Sequence, residues 1–262
     1  MTDHPAYGAL RTVRPAASVL LQNNPNHMTL DGTNSWVLSD LGSPERIVVD
    51  PGEDDGEHLE LLADGPPVAL VLLTHHHHDH AGGIDRFVEL TGAPVRALDP
   101  DLCRGGAEPL RDGETLFTAG VNLRVIATPG HTADSLSFLI GGNDPALLTG
   151  DTILGRGTTV IAHPDGALGP YLDSLRQLVE LIPGGTPVLP GHGPELPDTA
   201  GIAREYLKHR DQRLDQVRAA LDELGPDATP RQVVEVVYVD VDEKLWDAAE
   251  RSVRAQLDYL RA

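Results

Sequence analysis

The chain has a single cysteine, Cys103, in 262 residues. A lone thiol closes no internal disulfide and builds no thiolate metal cluster, which excludes a disulfide-stapled framework and a structural zinc finger. It reads as a loop or strand-edge thiol. Lysine is almost as scarce, with only Lys208 and Lys244. Acidic residues outnumber basic ones 40 to 20, a formal charge of −20, so the molecule on average repels nucleic acid phosphates and anionic membrane surfaces. No run approaches the roughly 18 uncharged apolar residues of a membrane span, and Met1 to Leu10 lacks the basic and apolar regions of a secretory signal. A cytoplasmic protein with no membrane partner is expected. No phosphate-binding loop, dinucleotide fingerprint, repeat or low-complexity tract is present, and neither Ser35 nor Ser135 sits in a nucleophile motif.

Hydrophobic residues make up 40%, and with 27 glycines the apolar share is that of an ordinary globular protein. The length suits one large α/β unit or a main domain with a small appendage. Short apolar runs end in turn residues: Arg46 to Val49, Val68 to Leu73, Val121 to Ala127, Ala146 to Leu148 and Thr186 to Leu189. These read as strands. Helical patterns lie between them, at Gly56 to Ala63, Gly82 to Thr91 and Pro170 to Ile182. From Asp198 to Leu224 a long amphipathic helix is expected, ended by Gly225-Pro226, and Thr229-Pro230 opens further short helices. The organisation expected is therefore a mixed α/β body over 1–197 and an all-helical region over 198–262.

Residues 74 to 80 read Thr-His-His-His-His-Asp-His, directly after the strand Val68 to Leu73. Imidazole and carboxylate donors at this density suit zinc and neighbouring transition metals. Taken alone, the tract would equally serve as a surface run that binds metal incidentally. Three later strands, however, end in Pro129-Gly130-His131, Gly150-Asp151 and Pro190-Gly191-His192, each adding one ligand-type side chain at a strand end. Alternate residues of an extended segment face the same way, so His75 and His77 share one side while His76 and His78 take the other. This sorts the donors into His75, His77 and His131 for one ion and Asp79, His80 and His192 for a second, with Asp151 bridging. Such open three-ligand sites are of the catalytic kind.

The order His75-x-His77-x-Asp79-His80, His131, Asp151, His192, framed by Thr74, Thr128-Pro129-Gly130 and Gly150, resembles the metallo-β-lactamase superfamily, which includes glyoxalase II, RNase Z-like nucleases and lactonases. The resemblance implies an αβ/βα sandwich, two Zn2+ at one edge of the sheets, and hydrolysis by a metal-activated water, with Asp79 also acting as the catalytic carboxylate. Further motifs are similar to the β-lactamase-like protein 2 branch: Asn24-Pro25, Thr29 to Asn34, Val49 to Gly52, Ile153 to Gly155, Gly157 to Thr159, Pro190 to Pro194 and Tyr206 to Arg210. That branch implies a winged-helix-like C-terminal module. Here the sequence stops at Ala262 after its third tail helix pattern, so the wing is expected to be missing.

The branch also implies that Asp50 braces the ligand loop from behind, and that Tyr206, His209 and Arg210 touch substrate beside the metals. Spacing puts Tyr206, His209, Arg210 and Arg213 on one helix face, which a solvated face would satisfy as well. His4, His27, His58 and His163 are expected to be surface histidines. The expected function is hydrolysis of a small-molecule ester, thioester, lactone or lactam, and nucleic acid is disfavoured apart from short single-stranded RNA. The alternatives are an endoribonuclease of the branch's type and a non-hydrolytic metal-binding or redox protein.

Overall fold

In a computed structural model, which describes residues 6–161, 163–240 and 242–261, eleven strands form two mixed sheets. The first contains β1 (Arg11–Arg14), β2 (Ala17–Leu21), β3 (Asn34–Leu38), β4 (Arg46–Val49), β5 (Val68–Leu72) and β6 (Val95–Arg96), in that order. Its first four strands run antiparallel to their neighbours, whereas β4, β5 and β6 are parallel. The second contains β7 (Thr115–Thr118), β8 (Val121–Ala127), β9 (Leu136–Ile140), β10 (Ala146–Gly150) and β11 (Val188–Pro190), in the order β11-β10-β9-β8-β7. Here β7 to β10 form an antiparallel meander, and β11 joins β10 in parallel.

Both faces of the central strands are covered, which is why they read as continuous apolar runs. Along β4, Ile47 and Val49 point into the interface between the sheets, where they meet Leu123, Val125 and Phe138 from β8 and β9. Val48 points the other way, under Leu59 of α1 (Gly56–Ala63) and Phe87 of α3 (Ile84–Thr91). On the far side, Ile126, Leu147 and Val188 pack against Tyr171 and Leu175 of α4 (Leu168–Leu181) and Leu214 of α5 (Thr199–Leu224). The layer order is helix, sheet, sheet, helix, an αβ/βα sandwich. The rest of the tail, α6 (Pro230–Val237) and α7 (Trp246–Arg261), closes a small core of Val233, Val234, Val253 and Leu257 against Val217 and Ala220 of α5. Thr229 and Gln232 cap α6 reciprocally, with Pro230 in its first turn. Among the described residues no strand lies beyond β11.

Local chemistry moves several element ends. The predicted helix Gly82 to Thr91 starts later, because Gly82 ends a separate single turn, α2 (His78–Ala81), and Gly83 opens α3. Asp198 occupies the N-cap position of α5. The sheets meet at one edge, where Asn34 N donates to Gly191 O at 2.8 Å and the Trp36 indole donates to Pro190 O at 3.1 Å. The C-terminal ends of β5, β10 and β11 open onto this edge.

Candidate metal centre

The loop after β5, with α2, supplies His75, His77, Asp79 and His80. The loop after β8 supplies His131, the end of β10 Asp151, and the turn after β11 His192. Three sets of donor atoms at this edge lie within 4.8 Å of one another, His75, His77 and His131; Asp79, His80 and His192; and His75, His80 and Asp151, and a fourth set, His76, Asp134 and Asp165, shares no residue with them. Asp151 stands between the first two. Its Oδ1 is 3.5 Å from His80 Nε2 and 3.4 Å from His192 Nε2, and its Oδ2 is 3.5 Å from His131 Nε2.

Hydrogen bonds on the far side of four rings fix their tautomers. His131 Nδ1 faces the Val160 carbonyl and His192 Nδ1 the Gly32 carbonyl; a carbonyl only accepts, so each Nδ1 carries the proton. His80 Nδ1 donates to Asp50 Oδ2 at 2.9 Å. The Thr74 hydroxyl gives its proton to Asp50 Oδ2 at 2.7 Å, so towards His75 Nδ1 at 3.0 Å it accepts. With one proton per ring, all four Nε2 atoms thus turn lone pairs inward, the form a bound cation requires.

Those lone pairs confront one another. His80 Nε2 and His192 Nε2 are 3.2 Å apart, while His77 Nδ1 lies 3.1 Å from His75 Nε2 and 3.0 Å from His131 Nε2. Two nitrogens bound tetrahedrally to one zinc would be about 3.3 Å apart, given Zn–N near 2.0–2.1 Å. Asp151 Oδ1 is buried with no hydrogen-bond partner. Five converging imidazole nitrogens and an orphaned carboxylate oxygen are what a cation would satisfy, so the residues fit divalent metal ions. Without one, charge is balanced by protons: burial opposes a charged His192, yet Asp151 pushes its pKa up to about 9. Burial, joined by the neighbouring His131, pushes His77 down to about 4, keeping it neutral and able to ligate.

The surroundings hold these donors in place. Asp50, 1% exposed, accepts from Thr74 N and the Thr74 hydroxyl as well as from His80, and so pins the ligand loop from behind. Gly130 stands where a Cβ would come within 2.4 Å of Tyr171 Cα, so the His131 loop lies directly on α4. His76 is exposed and pairs with Asp134 at 2.8 Å, and His78 is exposed at the start of α2; neither faces the centre.

The structure places the remaining sequence candidates differently from a solvated face. The Tyr206 hydroxyl donates to Gly157 O and accepts from Leu154 N. Arg210 is buried, donates to Thr159 O and lies over the Tyr171 ring. His209 lines a cavity of about 270 Å3 with Thr158, Arg213 and Tyr238. Tyr206 and Arg210 therefore reach the centre through the 154–160 segment, a link for which residue spacing carries no signal. His58 is a correction: it is buried, its ring 2.9 Å from the Ser35 hydroxyl, because α1 turns it inward under β3. His163 is half-buried and pairs with Asp258, His27 is exposed, and His4 lies outside the described residues.

Comparison with known proteins agrees with this geometry. A family model described as "Metallo-beta-lactamase superfamily" matches residues 28–192, and one described as "Beta-lactamase associated winged helix domain" matches residues 229–262. A relative named "Beta-lactamase-like protein 2 homolog" from Drosophila melanogaster is 33% identical over 92% of this chain and 86% of its own. Among solved structures, a beta-lactamase domain protein from Burkholderia ambifaria superposes with a TM-score of 0.80 at 22% identity, covering 99% of this chain and 90% of its own. A metallo-beta-lactamase family protein from Thermus thermophilus gives 0.76 at 24% identity, covering 95% and 94%.

Proposed function

The chain belongs to the metallo-beta-lactamase superfamily, and on that premise we propose that it is a cytoplasmic, dinuclear zinc-dependent hydrolase of a small ester, thioester, lactone or lactam. The observation that carries this is the set of inward lone pairs, fixed by Asp50, Thr74 and two backbone carbonyls, around the unpaired Asp151 oxygen. His75, His77 and His131 would hold one ion and Asp79, His80 and His192 the other, with Asp151 between them. A donor set of nitrogen and oxygen alone suits zinc. Two such ions supply Lewis acidity and a water whose pKa is brought near neutrality.

The chain's own residues orient the reaction. Asp79 is the most exposed carboxylate of the centre, with 22% of its side chain open and Oδ2 3.1 Å from His192 Nε2. As the most open of these carboxylates it would align the attacking water and take up its proton. Asp50 and Thr74 hold the Nδ1 sides of His80 and His75, so that each ring keeps its Nε2 turned to the centre. Residues 1–197 form the catalytic unit and 198–262 the helical appendage. The charge of −20 supports a small substrate over RNA, because long-range repulsion opposes a polyanion; a short single strand remains the competing substrate.

Two measurements test the reading. Metal analysis of zinc-replete protein should find two equivalents. A hydrolysis panel covering S-lactoylglutathione, an acyl-homoserine lactone, nitrocefin and a single-stranded RNA oligomer should show turnover of an acyl substrate that disappears with a chelator. Cleavage of RNA alone, with steeply salt-dependent binding, would replace the acyl reading with the nuclease one.

A further inference from the structure

The helix α5 starts beyond the residues matched by the superfamily model, yet two of its side chains bond the 154–159 stretch that runs into the residues holding His131. Arg210 donates to the Thr159 carbonyl, and the Tyr206 hydroxyl donates to the Gly157 carbonyl at 2.8 Å and accepts from Leu154 N at 3.3 Å. The last anchor point adjoins the residues that meet His131. There the Val160 carbonyl accepts from His131 Nδ1, and the Thr159 hydroxyl lies 3.1 Å from the same nitrogen.

A buried guanidinium is a demanding way to grip a loop. Arg210 is 4% exposed, its Nε has no hydrogen-bond partner, and among the described residues no ion pair engages it. A buried cation of this kind costs stability that a methionine or leucine of similar size would not. What it gains is a charge-assisted hydrogen bond to a main-chain carbonyl and a seat over the Tyr171 ring, 5.1 Å from its centroid. Tyr171 in turn donates to the Thr152 carbonyl, next to Asp151, and packs under Gly130, next to His131. One buried side chain is thus coupled to both segments flanking the His131 side of the centre.

We propose that Arg210, assisted by Tyr206, is a positioning residue for the metal ligand His131: it clamps the 157–160 segment so that Val160 O and the Thr159 hydroxyl hold the imidazole with Nε2 turned inward. The tail helix α5 is then part of the metal centre. This rests on the reading of His75, His77 and His131 as one metal site. It differs from a substrate-contact role, because the guanidinium is buried and engaged by a main-chain carbonyl.

The test is stepwise zinc affinity of the full-length protein, by competition with a chromophoric chelator, together with the visible absorption of the Co2+-loaded protein. His77→Ala and His192→Ala identify which binding step belongs to which site. Arg210→Met is expected to weaken the step that His77→Ala removes by tenfold or more, the usual scale for an outer-shell support, and to change the Co2+ bands of that site. The step that His192→Ala removes should stay within about twofold. Arg210→Lys, which keeps a donor for Thr159 O, should recover part of the loss, and Thr159→Val should weaken the same step less severely. Native affinity at both steps with only KM raised would overturn the clamp in favour of substrate contact. Equal weakening of both steps, in Arg210→Lys as well, would overturn it in favour of general packing. If Arg210→Met does not fold, Arg210→Lys and Thr159→Val decide by the same criterion. A wild-type protein that binds no transition metal defeats the metal reading and the clamp together, whereas two native steps untouched by the variants defeat the clamp alone.

Discussion

Replacing Asp50 by asparagine changes one atom and should disable a metal site through a proton on the far side of a ring. Asp50 Oδ1 accepts from Thr74 N at 2.8 Å, and Oδ2 accepts from the Thr74 hydroxyl at 2.7 Å and His80 Nδ1 at 2.9 Å. The backbone is no obstacle: Asp50 sits at φ 53°, a left-handed conformation in which asparagine is as much at home as aspartate. An asparagine with its amide nitrogen towards Thr74 N sets two donors face to face, and the main chain cannot adapt. With the nitrogen towards His80, the Thr74 hydroxyl can rotate to accept, but His80 must surrender its Nδ1 proton and carry it on Nε2, where the metal would be. A hydrogen bond to a charged group contributes about 1.5–3 kcal/mol. At 1.4 kcal/mol per factor of ten, that is roughly a ten- to hundredfold loss of affinity for the ion held by His80. Competition with a chromophoric chelator measures it. Both zinc affinities unchanged in a folded Asp50→Asn protein would refute the tautomer argument.

Asp79→Asn should abolish hydrolysis, whereas His76→Ala, at an exposed ring paired with Asp134, should leave the zinc content at two; loss of a zinc in His76→Ala would show that its ring faces the centre. Gly191→Ala places a methyl 2.7 Å from both Asp151 Oδ1 and His80 Cε1, so metal content should fall while the far-UV circular dichroism stays native, and retention of both ions would contradict the packing. His58 supplies a pH dependence away from the metals. Its pKa is pushed down to about 4, by burial against a smaller raising effect of Asp55, so between pH 4 and 6.5 the unfolded chain binds a proton that the folded chain refuses. That stability is intact above pH 6.5 and is lost as pH falls, about 2 kcal/mol between pH 7.5 and 5, or roughly 5 °C in Tm. In His58→Gln the component should vanish, and parallel pH profiles for the two proteins would count against a neutral buried histidine.

Sequence legibility followed how far a residue's environment is set locally. The strands Arg46–Val49 and Val121–Ala127 and the helix Gly56–Ala63 were readable to the residue, because turn formers or an N-cap aspartate bound each one. The strand Asn34–Leu38 was not read, since its polar start is buried by distant contacts, Asn34 with Pro190 and Gly193 more than 150 residues away and Ser35 with His58. The four-residue helix α2 is too short for periodicity to reveal, although it aims Asp79 and His80. The seven donors stood out because each follows a strand end, and strand ends converge. What held them did not stand out: Thr159 O and Val160 O act through main-chain atoms, which any side chain could supply, and nothing in the spacing of Arg210 distinguishes a buried clamp from a solvated face.

The centre is also a seam. His75, His77, Asp79 and His80 come from the first sheet, whereas His131, Asp151 and His192 come from the second, and each cation-sized set of imidazoles draws from both. A cation bound there would be shared by two halves of the chain that also meet along an apolar interface, through backbone links such as Asn34 to Gly191, and through ion pairs such as Arg96 to Glu114. The full ligand set exists only once the halves have closed on each other, and parting them takes His131, Asp151 and His192 away from the ion. Ion occupancy and sandwich closure are therefore one equilibrium, in which an ion at a thousand times its Kd adds about 4 kcal/mol to the closed form. Metal depletion is then expected to loosen the sandwich first at the metal edge, while the helix-backed outer faces stay packed.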